Sequence, residues 1–173
     1  MIKNTAHCVL CEHSKKDFTT GAYCGLTNEK PKFSNKCSSK EFGNVLEKKV
    51  IEFNTEIELV KHTKAKTMLH VYTFLSFAAI VLIGDYFFTI RLWEKGWMST
   101  ITLVIGGVGL GLIPFSIAPL NKYKREMNVA VDRKNDLDAI LKIYNYSYDI
   151  DIKLIKAPHN TVETEVDLTI RTN

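Results

Sequence analysis

MLHVYTFLSFAAIVLIGDYFFTI (residues 68–90) and MSTITLVIGGVGLGLIPFSIAPL (residues 98–120), separated only by RLWEKGW (residues 91–97), decide how this chain folds. A helix needs roughly 20 apolar residues to cross about 30 Å of hydrocarbon, and each run is longer than that. A core helix of a soluble protein keeps a polar face, whereas these runs are apolar nearly all round. They predict a mainly α membrane protein built on a two-helix transmembrane hairpin. Its spans are residues 67–92 and 98–120, and its external turn is residues 93–97.

Charge orients the hairpin. Lys48, Lys49, Lys61, Lys64 and Lys66 precede the first run, and Lys122, Lys124, Arg125, Arg133 and Lys134 follow the second. The turn holds only Arg91 and Lys95, partly offset by Glu94. The positive-inside rule places both termini in the cytoplasm, with the bacterial inner (plasma) membrane as the expected location. Trp93 and Trp97 suit the outer aromatic belt. No apolar core of a cleavable signal precedes residue 40, so the first span is expected to act as its own signal. The net charge of +4 is modest. Its basic residues flank the spans instead of lining a groove with aromatics, which argues against a nucleic-acid partner.

All four cysteines, Cys8, Cys11, Cys24 and Cys37, precede residue 40 in the pattern C-x2-C-x12-C-x12-C. Cys8-Val9-Leu10-Cys11 looks like a zinc knuckle, in which a tight turn aims two thiolates and backbone N–H groups at one ion. Tyr23-Cys24-Gly25 resembles a second turn, with Gly25 free to take positive φ. Disulfides rarely persist in a reducing cytoplasm. Iron–sulfur spacings are tighter than these. An unliganded head is the remaining alternative, but residues 1–42 hold few large apolar groups (Phe18, Tyr23, Leu26, Phe33, Phe42) and need a staple. The expectation is a structural Zn2+ held by all four cysteines, closed and hence non-catalytic. His7 and His13 sit beside the knuckle and could replace a cysteine, but solvent exposure is the expectation for each. The head resembles a treble-clef or zinc-ribbon module in a general sense, without matching a particular family.

Gly43-Asn44 followed by Glu47 reads as a helix start, with Asn44 as N-cap and Glu47 bonding back. Leu46, Val50, Phe53, Ile57 and Val60 then recur in alternating steps of four and three. Tyr123, Met127, Ala130, Lys134, Leu137, Leu141 and Tyr144 do the same after the second span. The two heptad seams predict an antiparallel, coiled-coil-like cytoplasmic stalk of residues 43–66 and 121–146, with Lys134 lying across Phe53. Ile51, Leu59, Val131 and Ile140 fall off the seam and form a second face.

Within the second span Thr102, Gly106, Gly109 and Ser116 form a small-residue stripe, and Gly107 with Gly111 forms GxxxG. Such residues let membrane helices approach closely, either within the chain or in a homo-oligomer. Pro114 is expected to kink this span and Pro119 to mark its exit. The first span carries His70 near the cytoplasmic side and Asp85 in its outer third. An intramembrane acid suggests an ion or proton path, although Asp85 is close enough to the turn to reach headgroups, Arg91 or Lys95.

From residue 147 the period changes to two: Ile150, Ile152 and Leu154, then Val162, Val166, Leu168 and Ile170. This predicts a β-hairpin tail over residues 147–173. A lone hairpin is marginal in water and must lean on the head, the stalk or another copy. No phosphate loop, HExxH or nucleophile–base pair is present, so an enzyme is not expected. The sequence favours a non-enzymatic membrane scaffold or adaptor with a zinc module that binds a protein partner or self-associates. A small oligomeric ion pore and a membrane-anchored metal or redox sensor are the alternatives.

Overall fold

The computed structural model describes residues 4–17, 21–33, 35–93, 100–156 and 162–172. The expected external turn around Lys95 and Trp97, the hairpin loop and Phe18 lie outside them. A short helix α1 (Asn4–Val9) is followed by strands β1 (Ser14–Asp17) and β2 (Gly21–Cys24). Two long helices, α2 (Asn44–Trp93) and α3 (Thr100–Ile143), come next. Strands β3 (Tyr146–Lys156) and β4 (Val162–Thr172) end the chain. The protein is mostly helical, with a C-terminal two-strand hairpin. The chain divides into two compact units, one of Met1–Leu59 with Asn128–Asn173 and one of Val60–Met127.

In the first unit, three parts of the chain share one core. Leu46 and Val50 of α2, Leu137, Ile140 and Leu141 of α3, Leu10 of the head and Tyr144 are buried together. Phe42, Tyr146, Tyr148, Ile150, Leu168 and Ile170 pack around them. Each fully buried leucine contributes roughly 1.5–3 kcal/mol relative to exposure. The expected seam positions Ile57 and Ala130 are also buried. Ile140, expected on a second face, belongs to this core. An Arg133–Glu56 ion pair, with Nη1 2.9 and 3.0 Å from the two carboxylate oxygens, joins the helices at the surface. Lys134 departs from expectation: its Nζ lies 2.6 Å from Asp138 and 5.6 Å from the Tyr148 ring centroid. Lys49 is the cation placed over Phe53, at 5.5 Å. An aspartate one turn away on the same helix offers Lys134 a charge, which a phenyl ring cannot match.

The start of α2 also differs. Asn44 is the first helical residue, and its neighbour Val45 donates its N–H to Glu12 Oε1 at 2.7 Å. The cap thus comes from the head, while Glu47 N–H bonds the Gly43 carbonyl at 3.2 Å as the first helical turn closes. A carboxylate at a helix N-terminus meets both free N–H donors and the positive end of the helix dipole. Gly43 is required by this approach, because a Cβ there would lie 2.8 Å from Glu12 Oε1. At the same end of the helical pair, Asn145 takes a left-handed φ of 59° where α3 stops. The chain then turns into β3.

The hairpin pairs antiparallel, with Tyr148 opposite Ile170, Ile150 opposite Leu168 and Ile152 opposite Val166. Since side chains alternate across a strand, this register gathers the apolar residues on one face. Tyr148 fixes that face to the helices: its hydroxyl donates to Asp138 Oδ1 at 2.6 Å and accepts from Asn54 Nδ2 at 3.3 Å.

In the second unit, both long helices contain stretches long and apolar enough to cross a membrane. Only 6% and 11% of those stretches is buried within the chain, so neither is a core helix of this chain's own fold. Leu69, Tyr72, Ile80, Leu103 and Phe115 are among the large apolar side chains left bare. Pro114 and Pro119 both sit inside α3, which continues unbroken past them. The glycines of the small-residue stripe and those of the GxxxG pair lie on different faces. A Cβ on Gly109 would lie 2.7 Å from Leu82 Cδ2, and one on Gly106 would lie 3.0 Å from Asp85 Oδ2, so both glycines face α2. Ser116 is fully buried and donates to the Ile113 carbonyl at 2.6 Å. Gly107 and Gly111 are exposed, and a Cβ on either would meet nothing within 4 Å.

Candidate functional site

The head arranges its cysteines by local backbone chemistry. After α1, Cys11 N–H bonds the Cys8 carbonyl at 3.0 Å and closes the Cys8–Cys11 turn. The Glu41 N–H, from just before α2, donates to Cys11 Sγ at 3.4 Å. The β1–β2 hairpin then carries Cys24 back, with Ser14 opposite Cys24 and Lys15 opposite Tyr23. Gly25 N–H bonds the His13 carbonyl at 2.7 Å. The positive φ expected at Gly25 is found instead at Gly21 (82°) and Asn28 (54°). Gly25 is needed for proximity: a Cβ would come 2.9 Å from the His13 carbonyl oxygen.

Cys8, Cys11, Cys24 and Cys37 all line one cavity of about 20 Å³, together with His7, His13, Lys40 and Tyr144. That is room for a single water-sized sphere. All four thiols are free. Among the described residues, no three or more His, Cys, Asp or Glu side chains are disposed as a group that could hold a metal ion. The cysteines are therefore gathered around one space without being at coordinating positions. On the far side, Cys8, Cys24 and Cys37 also border a groove of about 300 Å³ that includes Lys30, Lys32 and Lys36.

The thiols differ electrostatically. Burial pushes Cys8 up to about 11, with the neighbouring Cys24, Cys37 and Cys11 adding to the rise. Cys24 is drawn down by backbone N–H groups of Thr27 and Leu26, with the Thr27 hydroxyl assisting against some burial. Cys24-Gly25-Leu26-Thr27 thus forms a second knuckle-like turn in which backbone donors favour a thiolate. Thr27 carries no metal-ligand signature and was not legible as part of the site. Hydrogen bonds to an ionised sulfur lower its pKa, while burial and like charges raise it, which is why Cys24 and Cys8 move in opposite directions.

Two expectations about the surroundings change. His7 is buried, not exposed; its Nδ1 is 3.3 Å from the Tyr144 hydroxyl, its ring meets Phe33 edge-on at 5.2 Å, and burial pulls its pKa down. His13 Nε2 pairs with Glu41 at 2.8 Å. Tyr144, which the sequence placed only on the helix seam, also receives the Cys37 N–H at 2.8 Å. The head therefore rests on the shared core through Leu10, Phe42 and Tyr144. Leu26, counted among its own apolar residues, is 54% exposed.

Asp85 and His70 lie apart from this centre, in the second unit. Asp85 turns toward Gly106, and its Oδ1 is buried with no hydrogen-bond partner among the described residues. His70 is exposed and lies over Phe74, with ring centroids 4.4 Å apart. Comparison with known proteins returns nothing similar: no family model, no curated protein and no solved structure matches the chain.

Proposed function

We propose that the chain is a non-enzymatic integral membrane scaffold or adaptor, with a structural zinc ion held by Cys8, Cys11, Cys24 and Cys37. The observation that carries this reading is the convergence of all four cysteines on one ion-sized cavity. Four soft sulfur donors suit Zn2+, and a tetrathiolate leaves no open position for catalysis. The thiols need to close on the ion by a small adjustment of their turns. The two apolar helices supply the anchor. Lysine and arginine flank both spans on the side of the termini, which supports a cytoplasmic zinc unit under the positive-inside rule, with a bacterial inner membrane as the proposed location. There the head, helix ends and hairpin offer one folded unit to a protein partner. Gly107 and Gly111, bare on α3, suit close contact with a second copy in a homo-oligomer.

A subunit of a small oligomeric pore is the second reading, favoured by the unpartnered Asp85 oxygen. Ion flux across liposomes separates the two. The adaptor predicts no flux for the wild type and none for Asp85→Asn. Flux that Asp85→Asn abolishes would replace the adaptor with the pore.

A further inference from the structure

Lys40 occupies an unusual place. Its Nζ lies 3.9 Å from the Tyr144 ring centroid, 4.7 Å from that of Phe42 and 4.8 Å from that of Tyr146. The same side chain lines the four-cysteine cavity. Among the described residues it makes no ion pair. A half-buried ammonium without a carboxylate is costly, and burial accordingly pulls its pKa down, with Lys36 adding to the effect. Ring faces offset part of that cost, because the quadrupole of each ring turns its negative side to the cation. The fold has gathered three aromatic residues to hold a positive charge beside four thiols.

We propose that Lys40 is the built-in counter-ion of the cysteine centre, held in place by the Phe42–Tyr144–Tyr146 cage. The inference rests on the zinc reading and deepens it. Four thiolates and one Zn2+ leave a net charge of −2, which needs compensation in a partly buried cavity. Lys40 supplies a cation that has no carboxylate to neutralise it first. The cage residues come from the segment before α2, the turn directly after α3 and the start of β3. The counter-ion is therefore in position only when the head, helices and hairpin have come together, so metal affinity and assembly of the unit support each other. Tyr144 makes the link direct, since its ring lies under Lys40 while its hydroxyl accepts the Cys37 N–H.

The test is zinc affinity, by chelator competition, and the rate of thiolate alkylation in the detergent-solubilised full chain. Supporting partners of a metal site typically contribute 10- to 100-fold in affinity, and Lys40→Met is expected to weaken zinc about tenfold. It should also speed alkylation, since an uncompensated thiolate is the better nucleophile. Lys40→Arg, which keeps the charge and stacks on the same rings, should restore both. Phe42→Leu, which thins the cage and keeps the lysine, should give an intermediate loss. Lys32→Met, at a lysine paired with Glu29 at 3.8 Å on the outer groove, should change neither. A wild type without zinc would overturn the zinc reading itself. A zinc-bound wild type with unchanged Lys40→Met and Phe42→Leu, or with Lys32→Met equally weakened, would overturn the role of Lys40 alone.

Discussion

Removing the Glu12 carboxylate should loosen the first turn of α2, even though Glu12 lies more than thirty residues earlier in the chain. Glu12 Oε1 accepts the Val45 N–H at 2.7 Å, and Gly43 leaves the space in which it does so. Loss of an N-cap acceptor costs about 1 kcal/mol, within a usual range of about 0.5–2 kcal/mol. Glu12→Ala should therefore speed hydrogen exchange of the Val45 amide about fivefold, that energy expressed as an opening equilibrium. Glu12→Gln keeps an acceptor oxygen and loses only the charge, for about 0.3–1 kcal/mol. Gly43→Ala attacks the same contact from the other side, since its Cβ would stand 2.8 Å from Oε1 and push the carboxylate away. The two changes should therefore fail to add, because each removes the same bond. Amide exchange followed by mass spectrometry across residues 43–50 reads the wild type, the three single variants and the Glu12→Ala, Gly43→Ala double variant. Unchanged exchange in Glu12→Ala, or strict additivity in the double variant, would refute a cap donated by the head.

Other contacts yield equally direct expectations. Leu137→Ala, at a side chain 1% exposed in the shared core, should lower stability in denaturant by about 2–5 kcal/mol. Val131→Ala, at a side chain 37% exposed, should stay within about 0.5 kcal/mol. Gly25→Ala drives a Cβ against the backbone oxygen of His13, which has little room to yield, so limited proteolysis should cut the head of this variant faster. Tyr148 is raised above the ordinary tyrosine value by burial and then by its bond to Asp138. A raised folded pKa gives stability that is complete below the unfolded value near pH 10 and lost as pH rises through the folded one. Tyr148→Phe should therefore be less stable at neutral pH and show a flatter decline above pH 10 in pH-dependent melts. Gly109→Ala should disturb the packing of α2 on α3 against Leu82. Gly107→Ala and Gly111→Ala should leave the monomer intact and weaken only self-association, read by energy transfer between labelled copies in liposomes.

The long helices and the hairpin were legible because their physics is periodic. Uninterrupted apolar runs, a seam at heptad spacing and an alternating tail each have one economical reading. Buried Leu46, Val50, Ile57, Ala130, Leu137 and Leu141 all stand on the seam read from spacing. What escaped was chemistry between segments distant in sequence. Nothing in the neighbourhood of Asn44 reveals that Glu12 will cap that helix, so a local N-cap rule chose the nearest polar residue. Register alone puts Lys134 across Phe53, but Asp138 and Tyr148 outcompete that ring for it. Leu10, hidden inside the cysteine turn, is the head's anchor in the core, and its spacing between two cysteines gives no sign of that. His7 is buried for the same reason: the head leans on Tyr144 and Phe33, which spacing does not place beside it. The four cysteines were legible as a set, but the helpers around them, Thr27, Lys40 and Tyr144, belong to no ligand pattern.

The most direct test of the zinc-anchored reading is native mass spectrometry of the detergent-solubilised protein, reporting metal and copy number together. The account predicts one zinc per chain in the wild type and its loss in Cys24→Ser. A folded wild-type chain carrying no metal would contradict it.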